Sequence, residues 1–207
     1  SVDELATHLA PFKVQRATIT ALVDTFEHAK TFGSLIQIPY ALKTHLAVLP
    51  QVLALVKQSG DMYASAAADD LLPLVQQAQV LAMQFDSVAA NPPYMGAKAF
   101  TTVMKDWMKE HFPSNDKDLF SAFIERIAGM CKETGHYGIM TSFVWMFIVS
   151  FEKLRKQIIQ QETINSLVQL HYDAFADAKA HICTFLSQPY KVVGFKSSYV
   201  RLADFPG

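Results

Sequence analysis

Cysteine is scarce in this 207-residue chain, and its two occurrences, Cys131 and Cys183, have no close partner spacing. That excludes a dense disulfide framework and a Cys-x-x-Cys redox or zinc motif, and both read as small buried hydrophobes suited to a reducing cytoplasm. The seven histidines contain no His-x-x-x-His pair, so no metal is expected. Charge of either sign is not in excess either: 18 Lys plus Arg face 19 Asp plus Glu, a formal net charge of −1. A protein that grips a nucleic-acid backbone unaided usually carries a positive surplus, so any strong phosphate clamp is expected outside this stretch. The longest apolar run, Phe143 to Val149, is too short to cross a bilayer, and no charged-then-apolar signal segment opens the chain. No membrane association is expected.

What is present is enough apolar material for one well-filled core and a smaller attached region, 51% of residues being hydrophobic. Residues 1–84 read as helical. Ile19, Leu22, Val23 and Phe26 recur at helical spacing, as do Leu42, Leu46, Leu49, Leu53 and Val56, and then Leu71, Leu74, Val75, Ala78 and Leu81. Gly33 and Ser59-Gly60-Asp61 punctuate these runs. No charge cluster or glycine loop here suggests chemistry, so this part is expected to be an α-helical insertion or scaffold. From Phe85 to Gly207 the texture changes to short strands alternating with helices.

The informative junction is Phe85-Asp86-Ser87-Val88-Ala89-Ala90, read as a buried strand, running into Asn91-Pro92-Pro93-Tyr94. Two consecutive prolines forbid the strand from continuing and fix their own φ, while neither supplies an amide hydrogen. The result is a stiff rim with free carbonyl oxygens, one side-chain amide and one aromatic ring. In open α/β sheets the carboxyl end of a strand is where ligands bind. The Asn91 oxygen and a free carbonyl would form a two-acceptor fork for an amino group, and Tyr94 a face for a planar ring.

Beyond the rim, Ala99 to Phe112 reads as a loop or helix able to cover a pocket, and Asp116 or Asp118 as the cap of the next helix. That helix shows a broad apolar face from Leu119 to Cys131 and is expected to stop at Thr134-Gly135. Tyr137 to Thr141 reads as a buried strand, Phe143 to Gln161 as one long helix, Ile164 to Leu170 and Ile182 to Leu186 as strands, and Val192 to Leu202 as one or two more. The order strand, helix, strand, helix, strand and antiparallel pair is that of an α/β sheet.

Asn91-Pro92-Pro93-Tyr94 resembles the signature of amino-group methyltransferases that use S-adenosylmethionine. The runs Asp118-Leu119-Phe120-Ser121-Ala122-Phe123-Ile124-Glu125-Arg126, Gly135 to Thr141, Trp145-Met146-Phe147 and Phe151 to Arg155 are similar to adenine-specific DNA methyltransferases of the gamma arrangement. More closely still, residues 85–207 resemble the PglX methylases of BREX phage-defence systems, as does Thr31-Phe32-Gly33-Ser34-Leu35-Ile36. The resemblance implies the second half of a class I, Rossmann-like methyltransferase sheet preceded by an α-helical region. It also implies N6-methylation of adenine in double-stranded DNA, alongside other BREX components. The target base would leave the duplex, because its stacked and paired amine cannot meet a methyl donor. Carried across, Asn91 and the Pro92 carbonyl accept from the adenine amine, with Pro93 stiffening the turn and Tyr94 stacking on the base. The family's Leu-x-x-x-x-Phe pattern is met by Leu170 to Phe175, which nominates Phe175 for the other face. His171 and Tyr172 are weaker candidates.

One departure stands out. The donor-binding half of such folds needs a glycine-rich turn after its first strand, where the backbone approaches the cofactor, yet no Gly-x-Gly occurs in the 207 residues. The chain therefore reads as a later part of a larger enzyme, inactive alone, with its cofactor residues unassigned. The alternatives are a non-catalytic DNA-binding or assembly module and a methyltransferase acting on RNA or protein glutamine. An exposed strand edge would also invite self-association.

Overall fold

The computed structural model of the chain describes residues 1–172, 174–175 and 181–205. Its contacts divide it into two compact units, Ser1–Met83 and Gln84–Gly207. The first unit is helical: α1 Val2–Leu9, α2 Arg16–Phe26, α3 Ala29–Phe32, α4 Tyr40–Leu46, α5 Leu49–Lys57 and α6 Met62–Ala82. Capping explains the two clearest starts. Ser1 and Glu4 form a capping box on α1, and the Asp61 carboxylate accepts from the Tyr63 and Ala64 amides at 2.9 and 3.0 Å at the head of α6. Helix α6 is the hub, packing against α1, α2, α4 and α5. Its buried stripe is mostly small, Ala64, Ala67, Ala68, Leu71, Val75 and Ala78, which lets neighbouring backbones approach. Pro50 opens α5, where its missing amide hydrogen costs nothing. Among the described residues no helix is long and apolar enough to cross a membrane.

The second unit contains β1 Phe85–Ala90, α7 Thr102–His111, α8 Leu119–Met130, β2 Cys131–Ser142, α9 Glu152–Gln161, β3 Thr163–Gln169, β4 Ile182–Gln188 and β5 Ser198–Arg201. The five strands form one sheet in the order β1-β2-β4-β3-β5. β1 is parallel to β2, β4 runs antiparallel between β2 and β3, and β5 lies parallel to β3 at the outer edge. The fold class is thus α/β with a mixed sheet. The crossover from β1 to β2 carries α8, and the connection from β2 to β3 carries α9. Both helices settle on one face, where Phe120, Ile124, Ile127, Leu154 and Ile158 meet Tyr137, Ile139, Leu167 and Phe185. On the opposite face Gly138 sits across from Leu186, and Leu186 is exposed.

Four expectations are corrected. Strand β1 is an edge strand and only half-buried, with Asp86, Ser87 and Ala89 exposed. Gly135 does not end a helix; it lies within β2, which starts at Cys131. The β1–β2 register slips between Phe85 and Ser87, and a Cβ on Gly135 would stand 3.0 Å from the carbonyl oxygens of both Phe85 and Asp86. The glycine serves a close backbone approach at an irregularity in the ladder. Phe143 to Gln161 is not one helix but two short 3-10 turns, Phe143–Met146 and Val149–Phe151, followed by α9. Finally, β5 pairs with β3 in parallel instead of closing an antiparallel pair with β4.

A buried polar cluster sits at the amino end of β3. The Tyr137 hydroxyl donates to the Glu162 carboxyl group. Ser187 Oγ lies 3.4 Å from the same oxygen and donates to the Thr163 carbonyl at 3.0 Å. Desolvation pushes the Glu162 carboxyl above the ordinary carboxylate range, and desolvation together with the nearby Glu162 charge keeps the Tyr137 phenol protonated.

Candidate functional site

At the carboxyl end of β1, Asn91 to Tyr94 adopt neither helix nor strand. Pro92 is buried, while Asn91 and Pro93 are exposed. Among the described residues nothing claims the Asn91 side-chain amide, so it is available to a ligand. Tyr94 is 39% exposed, and its ring meets Phe120 edge to face at 6.4 Å and 90°. That contact, near the start of α8, fixes the ring plane while leaving part of it to solvent. Desolvation raises the Tyr94 phenol pKa, so the hydroxyl stays neutral.

Asp118 holds the chain just beyond the rim. Its Oδ1 accepts from the Met95 amide and the Phe120 amide, both at 3.2 Å. Backbone bonds complete the clasp, Leu119 N–H to Met95 C=O at 3.0 Å and Ala97 N–H to Lys117 C=O at 2.9 Å. Burial raises the Asp118 carboxyl pKa, opposed by those amide donors. One side chain therefore caps α8 and ties the rim to it. Sequence patterning offered Asp116 or Asp118 as the cap and did not foresee the tie, because the residue that shares the Asp118 carboxylate lies 23 positions away.

Sheet topology brings the second group of candidates to the same edge. Ala90 pairs with Ile139, Thr141 with Cys183, and Cys183 with Gln169. The carboxyl ends of β1, β2 and β3 and the start of β4 therefore share one rim of the sheet. Phe175, in the β3–β4 connection, is 41% exposed there. Next to the ends of β3 and β2 and the start of β4 runs a row of rings. Tyr172 lies 4.9 Å from the His181 ring, His181 4.8 Å from Phe143, and Phe143 5.9 Å from Phe147. Sequence reading placed Phe143 inside a helix and passed over His181, so this row was missed; its signal was an aromatic residue at the end of each strand. The carbonyl of His171, a weaker candidate, accepts the Ala174 amide at 3.1 Å. Trp145 is buried beneath the rim, 5.5 Å from Phe185.

The loop from Phe143 to Phe151 is fixed from below. Arg155 Nη1 donates to the carbonyls of Trp145 and Ile148, each at 2.6 Å. An open groove of about 470 Å³ lies elsewhere, in the helical unit, lined by Phe26, Gly33, Ile36, Pro73 and Gln77 among others. It offers volume but no titratable side chain, its polar lining being Ser34, Gln76 and Gln77, so the sheet rim is the better chemical candidate.

A stiff rim of acceptors and rings at the carboxyl end of a parallel strand belongs to the class of α/β domains that bind ligands at a sheet edge. Within that class the chain belongs to the Eco57I restriction-modification methylase family, whose profile matches residues 12–175. It is 35% identical over 157 residues to the adenine-specific methyltransferase BrxX of Escherichia coli O9:H4 (strain HS), covering 76% of this chain and 13% of that protein. It is 31% identical over 139 residues to the adenine-specific methyltransferase PglX of Lacticaseibacillus casei (strain Zhang), covering 66% and 12%. The chain thus spans about an eighth of the length of these relatives. Among solved structures, the methyltransferase subunit of a type I restriction-modification system from Streptococcus thermophilus aligns with a TM-score of 0.47 at 16% identity, over 60% of this chain and 28% of that one.

Proposed function

We propose that this chain supplies the acceptor side of S-adenosylmethionine-dependent N6-methylation of adenine in double-stranded DNA, within a BREX-type phage-defence system in the cytoplasm. The observation that carries the reading is Asn91-Pro92-Pro93-Tyr94 standing free at the carboxyl end of β1, in a family of restriction-modification methylases. The Asn91 side-chain oxygen and the Pro92 carbonyl accept hydrogen bonds from the exocyclic amine and aim its lone pair. Pro93 keeps that carbonyl in place, Tyr94 stacks on the extruded base, and Phe175 covers the other face. Alignment is the main demand on these residues, because the amine loses its proton late and needs no strong base.

S-adenosylmethionine supplies an electrophilic methyl group. The residues described here do not fit the whole donor. No Gly-x-Gly occurs, and among the described residues the glycines with positive φ are Gly33 and Gly60, which lie between helices, and Gly194, six residues beyond the end of β4. The donor's principal contacts are therefore assigned to residues other than these.

The test is calorimetric titration of S-adenosylmethionine into this 207-residue chain and into the chain extended upstream, followed by sequencing of N6-methylated adenines. Binding by the extended form alone, with methylated DNA adenine, is the expected result. Asn91→Ala in that form is expected to lower methyl transfer by about a hundredfold with donor binding unchanged. Tight binding by the shorter chain overturns the donor assignment, and methylation of RNA or glutamine in place of DNA overturns the acceptor. The missing glycine turn favours one rival, a base-binding module without turnover, and donor binding by neither form selects it.

A further inference from the structure

In the connection from β2 to α9, the four consecutive residues Phe147 to Ser150 are exposed, Phe147 by 68% and Val149 by 80%. This apolar tip is held in place. Arg155 Nη1 donates to the carbonyls of Trp145 and Ile148 at 2.6 Å, the Ile148 amide donates to Val144 C=O at 3.0 Å, and the Phe151 amide to Ile148 C=O at 3.1 Å. All these bonds end on backbone groups, so the loop keeps its shape whatever side chains stand at its tip.

Both ends of the loop meet the Asn-Pro-Pro-Tyr rim. β2 lies beside β1 and ends at Ser142, three residues past Ile139, the partner of Ala90. The loop therefore leaves from the strand next to Asn91. At its far end Phe151 packs on Phe120 at 5.2 Å, and Phe120 meets Tyr94 at 6.4 Å, so the loop closes two ring contacts away from Tyr94. Lys153, in the first turn of α9, is exposed and has no ion-pair partner among the described residues, whereas Glu152 in the same turn is paired with Lys156 at 2.6 Å.

We propose that Phe147, Ile148 and Val149 form an apolar wedge that enters the DNA stack as the target adenine leaves it, with Lys153 meeting a flanking phosphate. Extrusion unstacks the neighbours of the departing base, and apolar side chains inserted between base steps hold a duplex in that opened state. A rigid tip does this without an ordering cost. Three side chains on one loop suit a single base step, whereas a protein interface takes roughly 20–30 residues a side. The assignment rests on the reading of the rim as the acceptor site for adenine in DNA.

The test uses the form of the protein that turns over and two duplexes, one with the target adenine paired to thymine and one with it opposite an abasic position, where extrusion is already cheap. Replacing Phe147→Ser and Val149→Ser together is expected to lower kcat/KM for the paired duplex by about tenfold or more, and for the abasic duplex by about threefold or less, with the KM for S-adenosylmethionine unchanged. Phe147→Leu, which keeps the tip apolar, is expected to retain most activity on both. Asn91→Ala, which acts on the base once it is out, is expected to slow both duplexes alike. Equal losses on the two duplexes in the double variant, or no loss on either, overturn the wedge. If those outcomes accompany a slow Asn91→Ala, the acceptor reading stands without it; if Asn91→Ala transfers at the parent rate, the acceptor reading fails and the wedge falls with it.

Discussion

Glu162 shows how one residue can carry a pH dependence. Its carboxyl group is desolvated beneath Tyr137 and Ser187, and its folded pKa lies above the unfolded value. An acid shifted upward binds more protons when folded, so its contribution to stability falls as pH rises from the unfolded pKa through the folded one. Glu162→Gln, which removes the ionisation, is expected to gain in Tm relative to the parent as pH is raised from about 5 to about 8. A difference that instead grew toward acid would reverse the assigned sign. Gly135 makes a steric claim of the same size. Gly135→Ala would press a methyl group against two β1 carbonyls at 3.0 Å, and the strain is expected to cost about 1–3 kcal/mol in denaturant unfolding. An unchanged midpoint would mean that β1 shifts freely. The sequence displayed this glycine clearly but not its purpose, since Thr134-Gly135 after an amphipathic run has the form of a helix stop. Only the partner strand reveals a close approach.

At the scale of elements, legibility followed local contrast. Helix α8 was readable from its apolar spacing, although Arg126, expected on its polar side, is buried, and β1 because Pro92 and Pro93 end it. The stretch Phe143 to Phe151 offered no such contrast. A run that is apolar at almost every position has no detectable period, and its breaks come from backbone geometry, a Ser142 cap on the Val144 amide and an extended Ile148 with ψ near 137°. The end of β1 at Ala90 was legible to the residue, whereas the attachment of the following turn through Asp118 was not. Asp118→Ala removes both the α8 cap and the Met95 tie, and is expected to cost about 1–2 kcal/mol of stability. Asp118→Asn retains an acceptor and should recover most of it. Equal losses in both, measured by urea unfolding, would indicate that the charge rather than the acceptor geometry does the holding.

For the whole molecule, the two cysteines report on opening of the second unit. Burial pushes the Cys131 thiol up to about 11 and the Cys183 thiol up to about 12. Since the thiolate is the reacting form, neither is expected to react with a disulfide reagent at neutral pH until the sheet opens, and labelling should follow the unfolding curve in denaturant. Fast labelling of either without denaturant would show that its strand opens on its own. The same shifts carry a sign at high pH. Both thiols ionise more readily unfolded, so their share of stability is complete below about pH 9 and declines above it.

Strand order also has a consequence during synthesis. β3 has only β4 and β5 for neighbours, and both emerge from the ribosome after it. At about 5–20 residues per second, the 19 residues from Gln169 to Gln188 take about one to four seconds to be added. For that interval β3 has neither edge paired, and β2 lacks the partner that will separate the two. The nascent chain therefore passes through a stage with a bare strand whose Ile164, Leu167 and Val168 lack partners, and this segment is one a ribosome-associated chaperone would shield.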